Sequence, residues 1–538
     1  MGKNLSKIIL IVCIFLSIFF NFYKQNDVPG CLNADEAAFG YNAYSILKTG
    51  RDEFGAFLPL RLQSFNDFKL PLYSYLSIPF IAFGGLDIFS TRLLNKLIGI
   101  LFVPLVYLVV YEISKKKKIA LIASFLTAIS PWIMILSRQA HEGVLSAFFV
   151  LLAVYFIIKF ENGFEIRSLL FANGSLILSA FSYHTGRIFL VGLVLYQSWL
   201  FLKRFKDEKK TQLMRFGAVV LILTFMTPFL IDGLYGANRV KSLLFFQRSG
   251  FQQQLDEYLN EHPNRIMHNK GTASIQDVTI RYLSQFSTDF FIRFGDTNPR
   301  FGFERLSLIT PVEYIFLLIG LYYLFKHNAK FKGLILLLIL ITPLGNALTW
   351  QENSLARTYF LIFPIIFVVA YGAYSFYKQK THPNIKIFLL ISTSFMFLFY
   401  LVNTWDLYLN HYFKRALVTR AWQCGYKELT TYINNRYENF DKVYITKKHG
   451  QPYIFLLFFN QFPPDSYWLS ATKSEPDEYG FTQVEGFDKF IFDMPQDLRQ
   501  EKIVVIGYPD DFQDANLNGD KIHKVMYGHE EMFWIYQE

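Results

Sequence analysis

Long apolar runs separated by short polar loops dominate the chain. They fall near residues 6–22, 93–113, 119–136, 143–160, 169–183, 188–202, 212–231, 311–326, 332–349, 357–377 and 386–404. A helix crosses the hydrocarbon of a bilayer with roughly 17–25 apolar residues, so the pattern predicts an α-helical polytopic membrane protein with about eleven transmembrane helices. The polar positions between the runs carry a phase of their own. Basic residues gather at Lys115–Lys118, Lys159–Arg167, Lys203–Arg215, Lys326–Lys332 and Lys378–Lys386, which are alternate loops. Loops rich in Lys and Arg stay in the cytoplasm. The N-terminus is then cytoplasmic, and the remaining loops and the tail lie outside the plasma (inner) membrane. Lys3 and Lys7 before the first run resemble the start of a signal peptide, but no clear small-x-small cleavage site follows; the segment reads as an uncleaved first span.

Two outer regions depart from the span-and-loop rhythm. In the first outer loop, 24–92, apolar positions at Ala37, Tyr41, Tyr44 and Leu47 have helical spacing over Glu36 to Lys48. Gly50 to Gly55 reads as a turn, and Pro71 to Gly85 is apolar but about half a span long, which suits a helix lying in the membrane interface. Beyond residue 405 the composition becomes that of a soluble domain. It predicts a helix over Tyr426–Glu438, a strand over Lys442–Thr446, a helix over Pro452–Gln461, a strand over Lys502–Tyr508 and a hairpin over Lys524–Gln537, hence a small C-terminal α/β extracytoplasmic domain. The expected division is a transmembrane domain, 1–404, with the first outer loop and a long outer loop at 232–310, followed by the C-terminal domain, 405–538.

Composition agrees with the pattern. Of 538 residues 52% are hydrophobic, and only 18% are charged, against about 25% in a soluble protein. The net charge of +10 sits in the inner loops, where it reports topology, so no nucleic-acid partner is implied. Cys13 lies in the first span. Cys31 and Cys424 both fall outside on this topology, which leaves a bridge between them open.

The outer face collects the candidate chemistry. Asp35 and Glu36 are adjacent carboxylates just past the first span. One reading is a general base toward an acceptor hydroxyl or amine; the other is that Asn33 or Asp35 caps the following helix while Glu36 meets its positive end. Asp67 and Lys69 stand before the short apolar helix, at headgroup depth, where Lys69 either holds a lipid phosphate or reaches out to water. Arg138, Arg187 and Arg357 sit beside outer membrane ends, where basic residues are disfavoured; guanidinium groups match phosphate oxygens. The plainer alternative pairs them with ordinary headgroups or with Glu142 and Glu352. His141, Glu142 and His184 complete the cluster without zinc spacing. A divalent metal is left open. The long loop adds Arg239, Arg293, Asp296, Arg300 and Arg305 without a motif.

An acidic pair in the first outer loop (Ala34-Asp-Glu-Ala), a Lys69-Leu-Pro-Leu-Tyr segment, Ser137-Arg138 and a multi-span core resemble the GT-C glycosyltransferases, in particular the bacterial protein O-mannosyltransferase and lipid A aminoarabinose transferase group. The resemblance covers roughly residues 1–400. It implies transfer of a sugar from a polyprenyl-phosphate donor to a protein, lipid or glycan acceptor, with Asp35 as catalytic base, Glu36 as its neighbour, and Lys69 near the donor phosphate. Leu70 stands where the family has a first proline, and Phe68 where aminoarabinose transferases have a glutamate, a place Asp67 would fill one position early. Rival classes are a lipid or glycan flippase, which would place ionisable residues within its spans, and a non-catalytic scaffold.

Overall fold

The computed structural model describes residues 3–64, 67–163, 165–204, 211–235, 249–327, 329–349, 353–380, 382–475, 482–499, 502–513, 517 and 519–537. Arg239 and Glu352 lie outside the described residues, as does the side chain of Asp67. The chain divides into two compact units, one made of Met1–Tyr23, Asn95–Arg138 and Glu142–Tyr408, the other of Lys24–Leu94, Gln139–His141 and Leu409–Glu538.

The first unit is helical. Each of the eleven apolar runs forms helix, as continuous hydrophobicity without internal polar pairing demands. Six helices are long and apolar enough to cross a membrane among the described residues: Asn4–Phe22, Ile88–Ser114 (whose first residues belong to the second unit), Glu142–Gly163, His184–Lys203, Leu355–Lys378 and Pro383–Lys414. The pair Lys117–Ile129 and Pro131–Ser137, bent by 50° at Ser130, makes a seventh if it is one span. The expected count of about eleven is thus not established. Ile166–Ser182 and Lys332–Ala347 are apolar but short, because a rise of 1.5 Å per residue leaves them below the thickness of the hydrocarbon.

Small residues let these helices approach. A Cβ on Gly320 would lie 2.1 Å from the Val368 carbonyl oxygen, and one on Gly372 would lie 2.2 Å from that of Phe316, so helices Pro311–Lys326 and Ile362–Lys378 cross backbone to backbone. Polar side chains are satisfied between helices: Ser137 Oγ donates to Asn21 Oδ1 at 2.8 Å, and Ser146 Oγ to the Ser179 carbonyl at 3.0 Å.

The second unit combines the first outer loop with the C-terminal domain. Its seven-stranded mixed sheet has the order β4-β5-β6-β3-β7-β9-β8, where β3 is Lys442–Ile445, β4 Thr472–Lys473, β5 Val484–Phe487, β6 Phe490–Ile491, β7 Ile503–Gly507, β8 Ile522–Tyr527 and β9 Glu530–Gln537. A separate hairpin, β1 (Leu62–Ser64) with β2 (Asp67–Lys69), pairs Leu62 with Lys69. β7 is buried at every position, as a central strand covered on both faces must be. β3 pairs in parallel with both β6 and β7. The expected helices, central strands and terminal hairpin of this domain are present; β4 to β6 were not anticipated, because two- to four-residue strands carry too little alternation to read.

The predicted helix of the first outer loop runs from Ala34 to Thr49 and packs on the buried helix Pro452–Phe459. Gly40 permits the contact, since a Cβ there would meet the Phe458 ring at 2.6 Å. Tyr41 donates to the Phe462 carbonyl at 2.9 Å. Cys31 and Cys424 form a disulfide, with Cα atoms 5.4 Å apart, which ties the loop to the domain a second time. The apolar stretch after β2 forms the helix Leu72–Gly84.

Candidate active site

The acidic pair splits at the first turn of the helix Ala34–Thr49. Asn33 is the cap: its side chain accepts the Glu36 N–H at 3.1 Å, and Glu36 Oε2 accepts the Asn33 N–H at 3.3 Å. This reciprocal arrangement satisfies the helix end and takes Asp35 out of the capping role.

Glu36 is consumed by structure. Arg92 Nε donates to Oε1 at 2.8 Å and Nη2 to Oε2 at 2.7 Å, while the Ala140 N–H donates to Oε1 at 2.7 Å. Both side chains are 1% exposed. Arg92 spends its other donors on the carbonyls of Pro29 and Cys31, at 2.8 and 2.6 Å, and lies over the Trp422 ring. Burial of two charges is tolerated only when their remaining hydrogen-bonding sites are filled, and here they are. His141 is half-buried beside Ala140, one residue from a Glu36 ligand.

Asp35 has a different environment. Lys69 Nζ donates to Oδ1 at 2.6 Å; the lysine side chain is 4% exposed and the aspartate 47%. Lys69 reaches this position from the end of β2, with its ammonium 5.2 Å from the centre of the Phe39 ring. A buried cation, fixed by strand pairing and an aromatic face, thus orients a carboxylate that still opens to solvent. Asp67 precedes Lys69 on β2.

Behind this pair lies a group that sequence reasoning missed. Glu53, fully buried, accepts from Asn42 Nδ2 at 3.1 Å and Tyr453 Oη at 3.0 Å. Burial, aided by nearby Asp52, pushes its carboxyl up to about 8 despite the hydrogen bond from Tyr453 and the charge of Lys69. Asp52 is also raised by burial, and Lys473 is lowered by it. The only sequence signal was the Arg-Asp-Glu run inside a predicted turn. Nothing in a turn signature marks its acids as buried.

The remaining candidates belong to the helical unit. Arg138, 1% exposed, donates from Nη1 to the Phe20 carbonyl and from Nη2 to that of Tyr23, the latter at 2.7 Å. It closes the C-terminal end of the helix Lys3–Phe22, where carbonyls lack intrahelical partners and a cation is favoured. Glu142 opens the helix Glu142–Gly163. His184 and Arg187 share the first turn of the helix His184–Arg204, three residues apart and so on one face. Arg357 Nη1 donates to Thr349 Oγ1 at 2.7 Å. A Cβ on Gly345 would lie 3.1 Å from Thr185 and 3.8 Å from Arg357 Cβ, so the turn carrying His184 and Arg187 and the arm of Arg357 border one glycine. Asp296, 3% exposed, joins this region: its carboxylate accepts the N–H groups of Asn298 and Leu355 at 2.8 and 2.6 Å. Burial pushes it up to about 7 against those bonds and the charges of Arg357 and Arg300. Among the described residues no group of three or more His, Cys, Asp or Glu side chains is arranged to hold a metal ion.

Residues 10–231 match the family model of dolichyl-phosphate-mannose-protein mannosyltransferase. No curated protein sequence matches the chain. Among solved structures, ArnT from Cupriavidus metallidurans in the apo state superposes with a TM-score of 0.55 at 10% identity, covering 98% of this chain and 96% of that one. The same protein bound to undecaprenyl phosphate gives a TM-score of 0.54 at 10% identity, covering 99% and 98%. The oligosaccharyltransferase AglB from Archaeoglobus fulgidus, in complex with an inhibitory peptide and a dolichol-phosphate, gives 0.50 at 12% identity, covering 94% of this chain and 69% of that one. The chain spans 64% of the length of the apo archaeal enzyme. The chain therefore shares its fold with ArnT, and over residues 10–231 it matches the family model of dolichyl-phosphate-mannose-protein mannosyltransferase.

Proposed function

We propose that the chain is an integral-membrane glycosyltransferase that carries a sugar from a polyprenyl-phosphate donor to a hydroxyl or amine on a protein, lipid or glycan, on the extracytoplasmic face. Asp35 takes the acceptor proton as the acceptor atom bonds to the anomeric carbon. The bond from that carbon to the phosphate oxygen breaks, the polyprenyl phosphate leaves with the electron pair, and the configuration inverts. Lys69 holds the Asp35 carboxylate in place. Arg187 and Arg357 are assigned the phosphate on the chemistry of the guanidinium, which stays charged and offers paired donors to phosphate oxygens. Arg138 is assigned to its helix end instead.

One observation carries the reading. Of two adjacent carboxylates, Asp35 alone is half-exposed and relieved of capping, and it is oriented by a buried lysine. Two further facts support it. ArnT and AglB, which share the fold, have been solved with undecaprenyl phosphate and dolichol-phosphate. The disulfide Cys31–Cys424 suits an oxidising, extracytoplasmic compartment.

The test is release of free polyprenyl phosphate by the purified protein in liposomes, given a panel of polyprenyl-phosphate sugars and a cell-envelope extract. Release that disappears in Asp35→Asn supports the assignment and identifies the donor. Equal release from both proteins removes Asp35 as the base. No release by the wild type across the panel overturns the transferase reading itself.

A further inference from the structure

The helix Pro383–Asp406 is apolar along its length, yet only 6% of its most hydrophobic window is buried in the protein. A hydrogen bond between Tyr377 and Thr393 ties it to the helix Ile362–Lys378. Between these two helices, Lys117–Ile129 and Pro311–Lys326 lies a cavity of about 760 Å³ within the helical unit. Its walls are mostly apolar, with Ile122, Phe125, Phe316, Val369 and Leu390 among them, and Glu313, in the first turn of Pro311–Lys326, is an acidic group on its lining.

Three lysines also line it: Lys118, Lys378 and Lys386. Lys118 is in the first turn of its helix, Lys378 is the last residue of the next, and Lys386 is in the first turn of the third. The Lys116 ammonium lies 5.1 Å from the centre of the Tyr374 ring, which brings the loop before Lys117 to the end of the helix that finishes at Lys378. The three cations therefore gather at one end of an apolar groove.

We infer that this groove binds an anionic phospholipid, with one acyl chain along the apolar walls and the phosphate held by Lys118, Lys378 and Lys386. The volume falls in the range of about 300–1,000 Å³ found for pockets that hold one small molecule, enough for a single acyl chain but not for a whole phospholipid. The positive end selects the headgroup. These lysines belong to the loops that the charge pattern places in the cytoplasm, where anionic lipids are concentrated and basic pockets between spans recognise them. The site is independent of the transfer reaction and uses none of its residues.

The test takes the full chain in neutral detergent and adds phosphatidylglycerol, phosphatidylcholine or undecaprenyl phosphate, with binding read by native mass spectrometry and stability by thermal unfolding. Phosphatidylglycerol is expected to remain bound and to raise Tm by about 3 °C or more, and phosphatidylcholine to do neither. Replacing all three lysines (Lys118→Gln, Lys378→Gln, Lys386→Gln) should abolish the retained phosphatidylglycerol without lowering Tm in its absence. Ala373→Trp, which fills the groove, should do the same by a different route, so a folding failure in one variant leaves the other informative. Equal retention of phosphatidylcholine, tighter retention of undecaprenyl phosphate, or unchanged binding in the lysine variant would each overturn the inference.

Discussion

Two ion pairs sit on one helical turn, and they are built for opposite purposes. Asp35–Lys69 and Glu36–Arg92 have nearly the same separation, 2.6 and 2.7 Å. Distance therefore does not distinguish them; surroundings do. Glu36 and Arg92 are both sealed, and the capping N–H of Asn33 and the N–H of Ala140 complete the carboxylate's shell. Such a carboxylate has no room to take a proton from a substrate. Asp35 is oriented from its buried side by Lys69 and opens to solvent on the other. The comparison teaches that adjacency in sequence hides a division of labour, in which one acid fixes the helix start and its neighbour is thereby presented for chemistry.

The largest effect that would sharpen or break this contrast is catalytic. Loss of a general base costs about 10²–10⁴-fold in rate, so Asp35→Asn should lower the turnover of polyprenyl-phosphate sugar by that factor. Its Oδ1 still accepts from Lys69, but the buried ammonium loses its counter-charge, so stability should fall by about 1–3 kcal/mol. Stability is next. Removing one partner of a buried pair costs about 3–5 kcal/mol, so Arg92→Gln should strongly lower the thermal midpoint, and little folded protein should be recovered. Were Arg92→Gln to unfold no more easily than Asp35→Asn, the two pairs would not differ as described.

A third carboxylate separates burial from pairing. Glu53 is buried without a full cationic partner, and its folded-state value is raised to about 8 from an ordinary value near 4.3. A raised acid means the folded state holds a proton that the unfolded state has lost, so stability falls as pH rises through the window from about 4.3 to 8. The groups facing it, Asp52, Lys69, Lys473 and the Tyr453 hydroxyl, set how steep that fall is. The thermal midpoint of the wild type should fall from pH 6 to pH 9. Glu53→Gln mimics the protonated form and should flatten the slope, gaining about 1–3 kcal/mol at pH 9. A slope unchanged in Glu53→Gln would place the titration elsewhere.

The contrast also shows what the sequence could carry. Elements with strong periodicity or continuous apolar runs were legible, including the helix Ala34–Thr49 and the strand β7, because 3.6-residue spacing and uninterrupted β-branched residues leave a mark in a short window. The pairing of the first outer loop with the C-terminal helix Pro452–Phe459 was not, since it rests on a glycine at 40 meeting a ring at 458, hundreds of residues apart. Asp35 and Lys69 were identified one by one, and their contact came only with the hairpin that aligns Leu62 with Lys69. Arg92 stood at the last position of the expected first outer loop and was not among the candidate residues, because nothing in its local sequence pairs it with Glu36. Glu53 looked like a solvated turn residue until the domain closed over it.

The smallest expected effect concerns Arg138, which by residue type belongs with the phosphate ligands and by geometry with Arg92. Its Nη1 and Nη2 donate to the carbonyls of Phe20 and Tyr23, so its charge meets the negative end of a helix. A cation in that position contributes about 0.3–2 kcal/mol, and Arg138→Gln should lower stability by an amount of that order. Because those donors face carbonyls rather than a ligand, the KM for the polyprenyl-phosphate donor should stay within about twofold, and turnover should fall only as far as folded protein is lost. Arg187→Gln is the control from the same unit: a phosphate ligand should raise KM for the donor and leave the thermal midpoint in place. If Arg138→Gln raised KM about tenfold or more with an unchanged midpoint, its side chain would have to leave the helix end when donor binds. Arg138 would then belong beside Asp35 in the comparison rather than beside Arg92.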